Sequence, residues 1–141
     1  MDMTDQHEGG CLCGAIRYAF TGDPLVTGLC HCRHCQRQSG APFSVVSGVE
    51  DARLTVHGTP KTYVDSSDSG HPVYRLFCAE CGSPLISRLA AMPGLSFIKA
   101  GTLDQPGLWR PAFEVYCERS WPWLPALAEV RYPLSNAGAS E

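Results

Sequence analysis

Apolar and polar residues alternate along the chain in short runs, and no segment sustains a helical period. The runs are AIRYAF (15–20), FSVVSGV (43–49), RLTVHG (53–58), KTYVD (61–65), PVYRLF (72–77), LSFIKAG (95–101) and AFEVYC (112–117). In the first of them Ile16, Tyr18 and Phe20 fall on one face and Arg17 on the other, the two-residue period of a half-buried strand. Turn-forming clusters separate the runs, among them Gly22-Asp23-Pro24, Gly58-Thr59-Pro60 and Pro106-Gly107. Short strands at this spacing predict an all-β fold of antiparallel sheets. Helix is expected only as short turns near Arg33 to Gln38 and Trp121 to Leu124. There is no internal repeat, no low-complexity tract and no interior linker, so residues 9–134 read as one domain between loose tails at 1–8 and 135–141.

Composition adds three limits. A chain of 141 residues with 44% hydrophobic content can close a core of its own. The formal charge is −3, Lys61 and Lys99 are the only lysines and nine arginines are scattered, so no basic stripe exists to follow a phosphate backbone and nucleic acid is not the expected partner. The opening MDMTDQHEGG is acidic and polar, and no apolar run approaches the roughly 20 residues needed to span a bilayer. The expectation is a cytoplasmic protein without a membrane partner, in which eight cysteines serve as thiolate ligands rather than disulfides.

The cysteine spacing supports that expectation. GGCLCG places Cys11 and Cys13 two apart, and FCAECGSPL places Cys78 and Cys81 three apart, so each pair can present its sulfurs on one side. A tetrahedral zinc needs sulfurs about 3.8 Å apart, which a C-x-C strand and a C-x-x-C turn both supply. Gly14 and Gly82 follow the pairs, where a tight turn calls for positive φ. A metal shared by two pairs about 65 residues apart would tie the N-terminal strand to the middle of the chain.

A second set, Cys30, Cys32 and Cys35 in CHCRHC, puts three sulfurs within six residues, with Cys117 far away in EVYCERS. If Cys117, His31 or His34 supplies a fourth ligand the site is closed and structural; if water or substrate does, it is open, as a catalytic site must be. Three thiolates leave a zinc centre with net charge −1, a poor generator of hydroxide. Such a centre can still bind and deprotonate a further thiol, which stays nucleophilic toward a carbonyl carbon.

GGCLCGAIRY, CHCRHCQRQSGAP, FCAECGSPL and AGTLD, in this order, resemble the glutathione-dependent formaldehyde-activating enzyme family, also called the centromere protein V/GFA domain, from Gly10 to about Trp123. The resemblance implies a β-tent of twisted sheets with two zinc ions: a structural one on Cys11, Cys13, Cys78 and Cys81, and a catalytic one on Cys30, Cys32 and Cys35. It also implies a carbon–sulfur lyase reaction that joins glutathione to formaldehyde as S-hydroxymethylglutathione. Many relatives would be expected to carry a histidine where Glu114 stands.

Addition of a thiolate to an aldehyde leaves an alkoxide that needs a proton, for which His34, His71, Glu114 and Tyr116 are candidates. Arg33 and Arg37 could pair with glutathione carboxylates, and Trp109, Trp121 and Trp123 could wall a pocket or pack the core. Two other functions fit the same residues: a non-catalytic zinc module with a closed second site, and a scavenger that uses its own thiolates as nucleophiles.

Overall fold

A computed structural model describes residues 5–67 and 70–135. Its strands are β1 (Gln6–Gly10), β2 (Arg17–Thr21), β3 (Val26–Cys30), β4 (Ser44–Glu50), β5 (Leu54–His57), β6 (Lys61–Asp65), β7 (Val73–Phe77), β8 (Pro84–Leu89), β9 (Leu95–Lys99), β10 (Phe113–Val115) and β11 (Val130–Arg131), with one helix, α1 (Arg33–Ser39), after β3. They form two sheets, a small one in the order β1-β2-β5 and a large one in the order β11-β10-β3-β4-β9-β8-β7-β6. The protein is thus mostly β, with two sheets and one short helix, as the alternating pattern predicts. No helix among the described residues is long and apolar enough to cross a membrane.

The expected antiparallel pairing holds except at β10, which runs parallel to both β3 and β11. Six strands intervene between β3 and β10, and a strand returning after so long an excursion can enter from either end, whereas a tight hairpin forces antiparallel pairing. The close fit of β10 on β3 depends on Gly28, where a Cβ would lie 2.7 Å from the Phe113 ring. A side chain there would push β10 away from the strand that ends in Cys30.

The core lies between the sheets. Ile16, just before β2, and Tyr18 and Phe20 within it point inward and pack with Val49, Leu76, Leu85, Ile86, Ile98 and Leu103 of the larger sheet and its connections. The AGTLD segment fastens the two sheets together. The Thr102 hydroxyl lies 2.7 Å from that of Tyr18, Leu103 is buried, the Asp104 amide donates to the Glu8 carbonyl, and the Asp104 carboxylate accepts from the Arg17 guanidinium.

Gln6–Glu8, expected within a loose N-terminal tail, are paired strand instead. The reason is His7, whose ring lies against Trp109 and Phe20 and anchors the segment to the core. The remaining tail residues 1–4 and 136–141 lie outside the described residues.

Candidate metal centres

Cys11 follows β1, Cys13 sits in the turn before β2, and Cys78 and Cys81 lie in the turn joining β7 to β8. All four sulfurs lie within 4.8 Å of one another. The Cys11–Cys13 and Cys13–Cys78 separations are both 3.7 Å, close to the edge of about 3.8 Å in a tetrahedral four-sulfur zinc site. Gly14 (φ 82°) and Gly82 (φ 80°) adopt the left-handed conformation that turns the chain back after each pair.

Fixed donors surround these sulfurs. The Ile16 amide donates to Cys11 Sγ at 3.3 Å, and the Ser83 hydroxyl lies 3.3 Å from Cys81 Sγ while also accepting from the Leu12 amide. Hydrogen bonds from the Ser83 hydroxyl and amide pull the Cys81 thiol down to about 5, while Cys13, held beside its neighbours' sulfurs, is raised to about 12. A divalent cation among these sulfurs would hold all four as thiolates. The donor set therefore fits a closed, four-coordinate metal.

The second cluster is built by the end of a strand and the start of a helix. Cys30 ends β3, Cys32 is the N-cap of α1, and Cys35 lies in its first turn, so the three sulfurs converge within 4.8 Å. The Cys32 sulfur accepts from the Cys35 amide at 3.3 Å, as an N-cap oxygen would. Hydrogen bonds from Cys30 and Cys32 hold the Cys35 thiol far down, with the charges of Lys99 and Arg75 acting in the same direction. Cys30 is pushed up by sharing its proton with the other two and by burial. A thiolate fixed against two further thiols suits a thiophilic cation.

No fourth ligand atom joins these three among the described residues. His31, between two of the cysteines, is fully buried and turned toward β10, where its Nε2–H donates to Glu114 Oε1 at 2.8 Å. Cys117 gathers with His31 and Glu114, and its sulfur lies 3.6 Å from the Glu114 carbonyl. His34 projects from α1 with its Nδ1 2.9 Å from the Asp65 carboxylate and is half exposed. Among the described residues, His31, His34 and Cys117 are thus each engaged away from the three sulfurs.

Other contacts fix that loop from behind. Gln36, buried in α1, donates to the His31 and Arg119 carbonyls and accepts from Trp121 Nε1 and Arg33. Glu114 takes four donors: His31, the amides of Leu127 and Ala128 at 2.8 and 3.0 Å, and Arg131 Nε at 3.0 Å. It clamps the C-terminal segment against the cysteine loop, a task for an acceptor that the histidine expected at this position could not perform. Burial alone would raise the Glu114 carboxyl, but these donors outweigh it and hold it below the usual carboxylate range.

A carboxyl with a lowered folded value stabilises the fold above its unfolded value, and that contribution disappears as pH falls through the folded one. Glu114→Ala should cost roughly 3–5 kcal/mol in denaturant unfolding at neutral pH, because it strands a buried network. The deficit should shrink as pH falls from the usual carboxylate range through the lower folded value of Glu114, where the wild-type carboxyl also loses its charge. This state also removes Glu114 from the proton donors, since at neutral pH it carries no proton to give.

The remaining expected residues are dispersed. Arg33 and Arg37 are exposed on α1, and His71 is exposed in the connection before β7. Tyr116 adopts φ 58° where β10 passes into a short 3-10 turn. Trp109 packs on the core, whereas Trp121 and Trp123 stack edge to face beside Gln36. Four residues near the second cluster escape sequence reasoning: Ser44, Asp65 and Arg75 in strands, and Gln36 in the helix. Lys99 joins them, known from the sequence only as one of two lysines.

A mostly β fold with a four-thiol and a three-thiol cluster defines a protein whose cysteines are placed where they could hold metal at two sites. The family profile described as glutathione-dependent formaldehyde-activating enzyme (GFA) matches residues 6–119, and the chain belongs to that family. Relatives bearing the family's name include an Aspergillus flavus protein, 31% identical over an alignment of 108 residues that covers 73% of this chain and 56% of that protein. A Phaeosphaeria nodorum protein is 32% identical over 79% of this chain and 63% of its own length. The chain thus spans less than two thirds of these relatives. The fold is similar to the crystal structure of a Rhodobacter sphaeroides protein, with a TM-score of 0.53 at 15% identity over 89% of this chain and 98% of the other.

Proposed function

We propose that this protein is a zinc-dependent carbon–sulfur lyase-type enzyme of the cytoplasm that activates a thiol, glutathione or a close relative, for addition to formaldehyde or another small aldehyde. One observation carries this reading: Cys30, Cys32 and Cys35 converge with no fourth His, Cys, Asp or Glu ligand among the described residues, while Cys11, Cys13, Cys78 and Cys81 form a set of four. In this reading zinc on the complete set is structural and zinc on the open set catalytic. A zinc ion bound by Cys30, Cys32 and Cys35 would supply a position at which an incoming thiol loses its proton.

The chain's own residues hold that position in place. Cys32 and Cys35 are locked by the N-cap hydrogen bond, Cys30 by pairing of β3 with β4, and the loop between them by Gln36 and the His31–Glu114 pair. In the addition the thiolate sulfur forms a bond to the carbonyl carbon and the C=O π pair moves to oxygen. The proton lost by the thiol returns to that oxygen, giving a hydroxymethyl thioether, and the reverse path releases thiol and aldehyde. His34, next to Cys35 in the chain and oriented by Asp65 through its Nδ1, is the residue we assign to carry the proton.

Exchange NMR with labelled formaldehyde and glutathione at equilibrium tests the function. Exchange faster than the protein-free rate is expected for the zinc-loaded protein, and an unchanged rate would count against glutathione and formaldehyde as the pair. Cys117→Ala discriminates this reading from a closed module. Because Cys117 lies with Glu114 and His31, the variant should keep both metals, whereas loss of one in metal analysis would make Cys117 a ligand. A scavenger reaction at the protein's own thiolates should leave covalent adducts on Cys30, Cys32 or Cys35 in mass spectra after brief aldehyde exposure; none is expected from the zinc-loaded enzyme.

A further inference from the structure

Lys99 presents an unusual electrostatic arrangement. It ends β9 with only 6% of its surface exposed, and the one hydrogen bond its side chain makes among the described residues runs from Nζ to the Ser44 hydroxyl at 3.0 Å. No carboxylate pairs with it among the described residues. A buried ammonium without a counter-ion is costly, and the group that compensates it must lie nearby.

The sheet register shows where that group is. Ser44 pairs with Cys30 across β3 and β4, and Lys99 pairs with Val46, two residues along β4 on the same face as Ser44. Its side chain therefore runs diagonally to Ser44, on the face that carries Cys30; burial lowers the Lys99 ammonium below the usual lysine range, and the nearby sulfurs of Cys35, Cys30 and Cys32 oppose that shift. A second buried cation, Arg75 of β7, also borders Cys35, but Asp65 already balances it through a 2.8 Å bond to Nε. The four-cysteine cluster is different, because its thiols are governed by hydrogen bonds from amides, Ser83 and one another.

We infer that Lys99 is a positioning residue that makes the three-cysteine site select an anionic fourth ligand, a thiolate in preference to a neutral donor. This rests on the open-site reading above and adds a source for its selectivity. Three thiolates around a divalent cation carry −1, which the Lys99 ammonium cancels, so the site as built is neutral. A further thiolate then enters a neutral site rather than an anionic one, a difference that is large at short range in a partly buried setting. Lys99 and Ser44 also border a cavity of about 250 Å³ together with Ser39, Phe43 and Thr102.

The test uses the full chain loaded with cobalt(II) in place of zinc, whose visible and sulfur-to-cobalt absorption bands report each added thiolate. Wild type, Lys99→Met and Lys99→Arg, all shown by metal analysis to hold both ions, are titrated at one pH with glutathione, with 2-mercaptoethanol and with imidazole as the neutral ligand. Lys99→Met should bind both thiols at least about tenfold more weakly while its imidazole affinity changes little, and Lys99→Arg should recover most of the thiol affinity. Ser44→Ala, which frees the ammonium without removing it, should fall between wild type and Lys99→Met.

Unchanged thiol affinity in Lys99→Met, or an equal loss for thiols and imidazole, would overturn the inference while leaving the open site intact. A wild-type protein that gives no spectral response to either thiol would overturn the open-site reading itself and the inference with it. If Lys99→Met fails to retain the second ion, the comparison of Ser44→Ala and Lys99→Arg with wild type decides the matter by the same criteria.

Discussion

Cys78→Ser is expected to unfold the protein at temperatures where wild type is stable. Cys78 is buried at the edge of the core and shares its cluster with Cys11 and Cys13, the residues that carry the chain from β1 to β2. The cluster thus fastens the small sheet to the β7–β8 turn of the large one. Structural zinc in small domains contributes about 10–16 kcal/mol of apparent binding free energy, as much as or more than the roughly 5–15 kcal/mol that holds a typical domain together. Losing one of four ligands should therefore destabilise by more than about 4–5 kcal/mol, among the largest effects of a single substitution. Thermal unfolding by circular dichroism, with and without a chelator, provides the measurement. A melting temperature within a few degrees of wild type would show that the core alone fixes the two sheets and that the cluster is not a structural metal site.

The second large effect separates stability from chemistry. Cys32→Ser should leave the fold standing, lower the metal content from about two ions per chain to about one, and return formaldehyde–glutathione exchange to the uncatalysed rate. Cys32 is chosen because its sulfur both faces the cluster and caps α1, and serine is itself a good N-cap, so the helix survives the exchange. The three-cysteine loop is also held by Gln36 and by His31 with Glu114, none of which depends on the metal. Full activity with only one ion bound would place the reaction away from Cys30, Cys32 and Cys35.

The contrast between these two variants shows what the sequence carried and what it did not. The pairs Cys11/Cys13 and Cys78/Cys81 are legible because local spacing alone brings each pair together, and the glycines after them complete the turns. The alternation in AIRYAF likewise places Ile16, Tyr18 and Phe20 in the core, because a strand's two faces depend only on a period of two. By contrast, β1 is polar and ends in two glycines, β3 carries Gly28 at its centre, and β8 opens on Pro84, so none shows a strand-like run. Their strand character comes from neighbours supplied by the rest of the sheets.

Around the site the limit is similar. His31 and Glu114 meet across 83 residues of sequence, and Lys99 reaches the vicinity of Cys30 only because β4 lies between β3 and β9. Such contacts are consequences of sheet order, which spacing does not encode. The fourth ligand was undecided for the same reason. Cys117, His31 and His34 are all candidates in the sequence, and packing, with Cys117 and His31 drawn to Glu114 and His34 to Asp65, sets them apart from the cluster.

X-ray absorption at the zinc edge tests the central claim, an open three-thiolate site beside a closed four-thiolate one, most directly. The zinc-loaded protein without thiol should show a mean of about 3.5 sulfurs per zinc at about 2.3 Å with a light-atom contribution, rising toward about 4 when glutathione is added. A value of about 4 before any thiol is present, unchanged by glutathione, would mean that the chain closes both sites itself and would contradict the account.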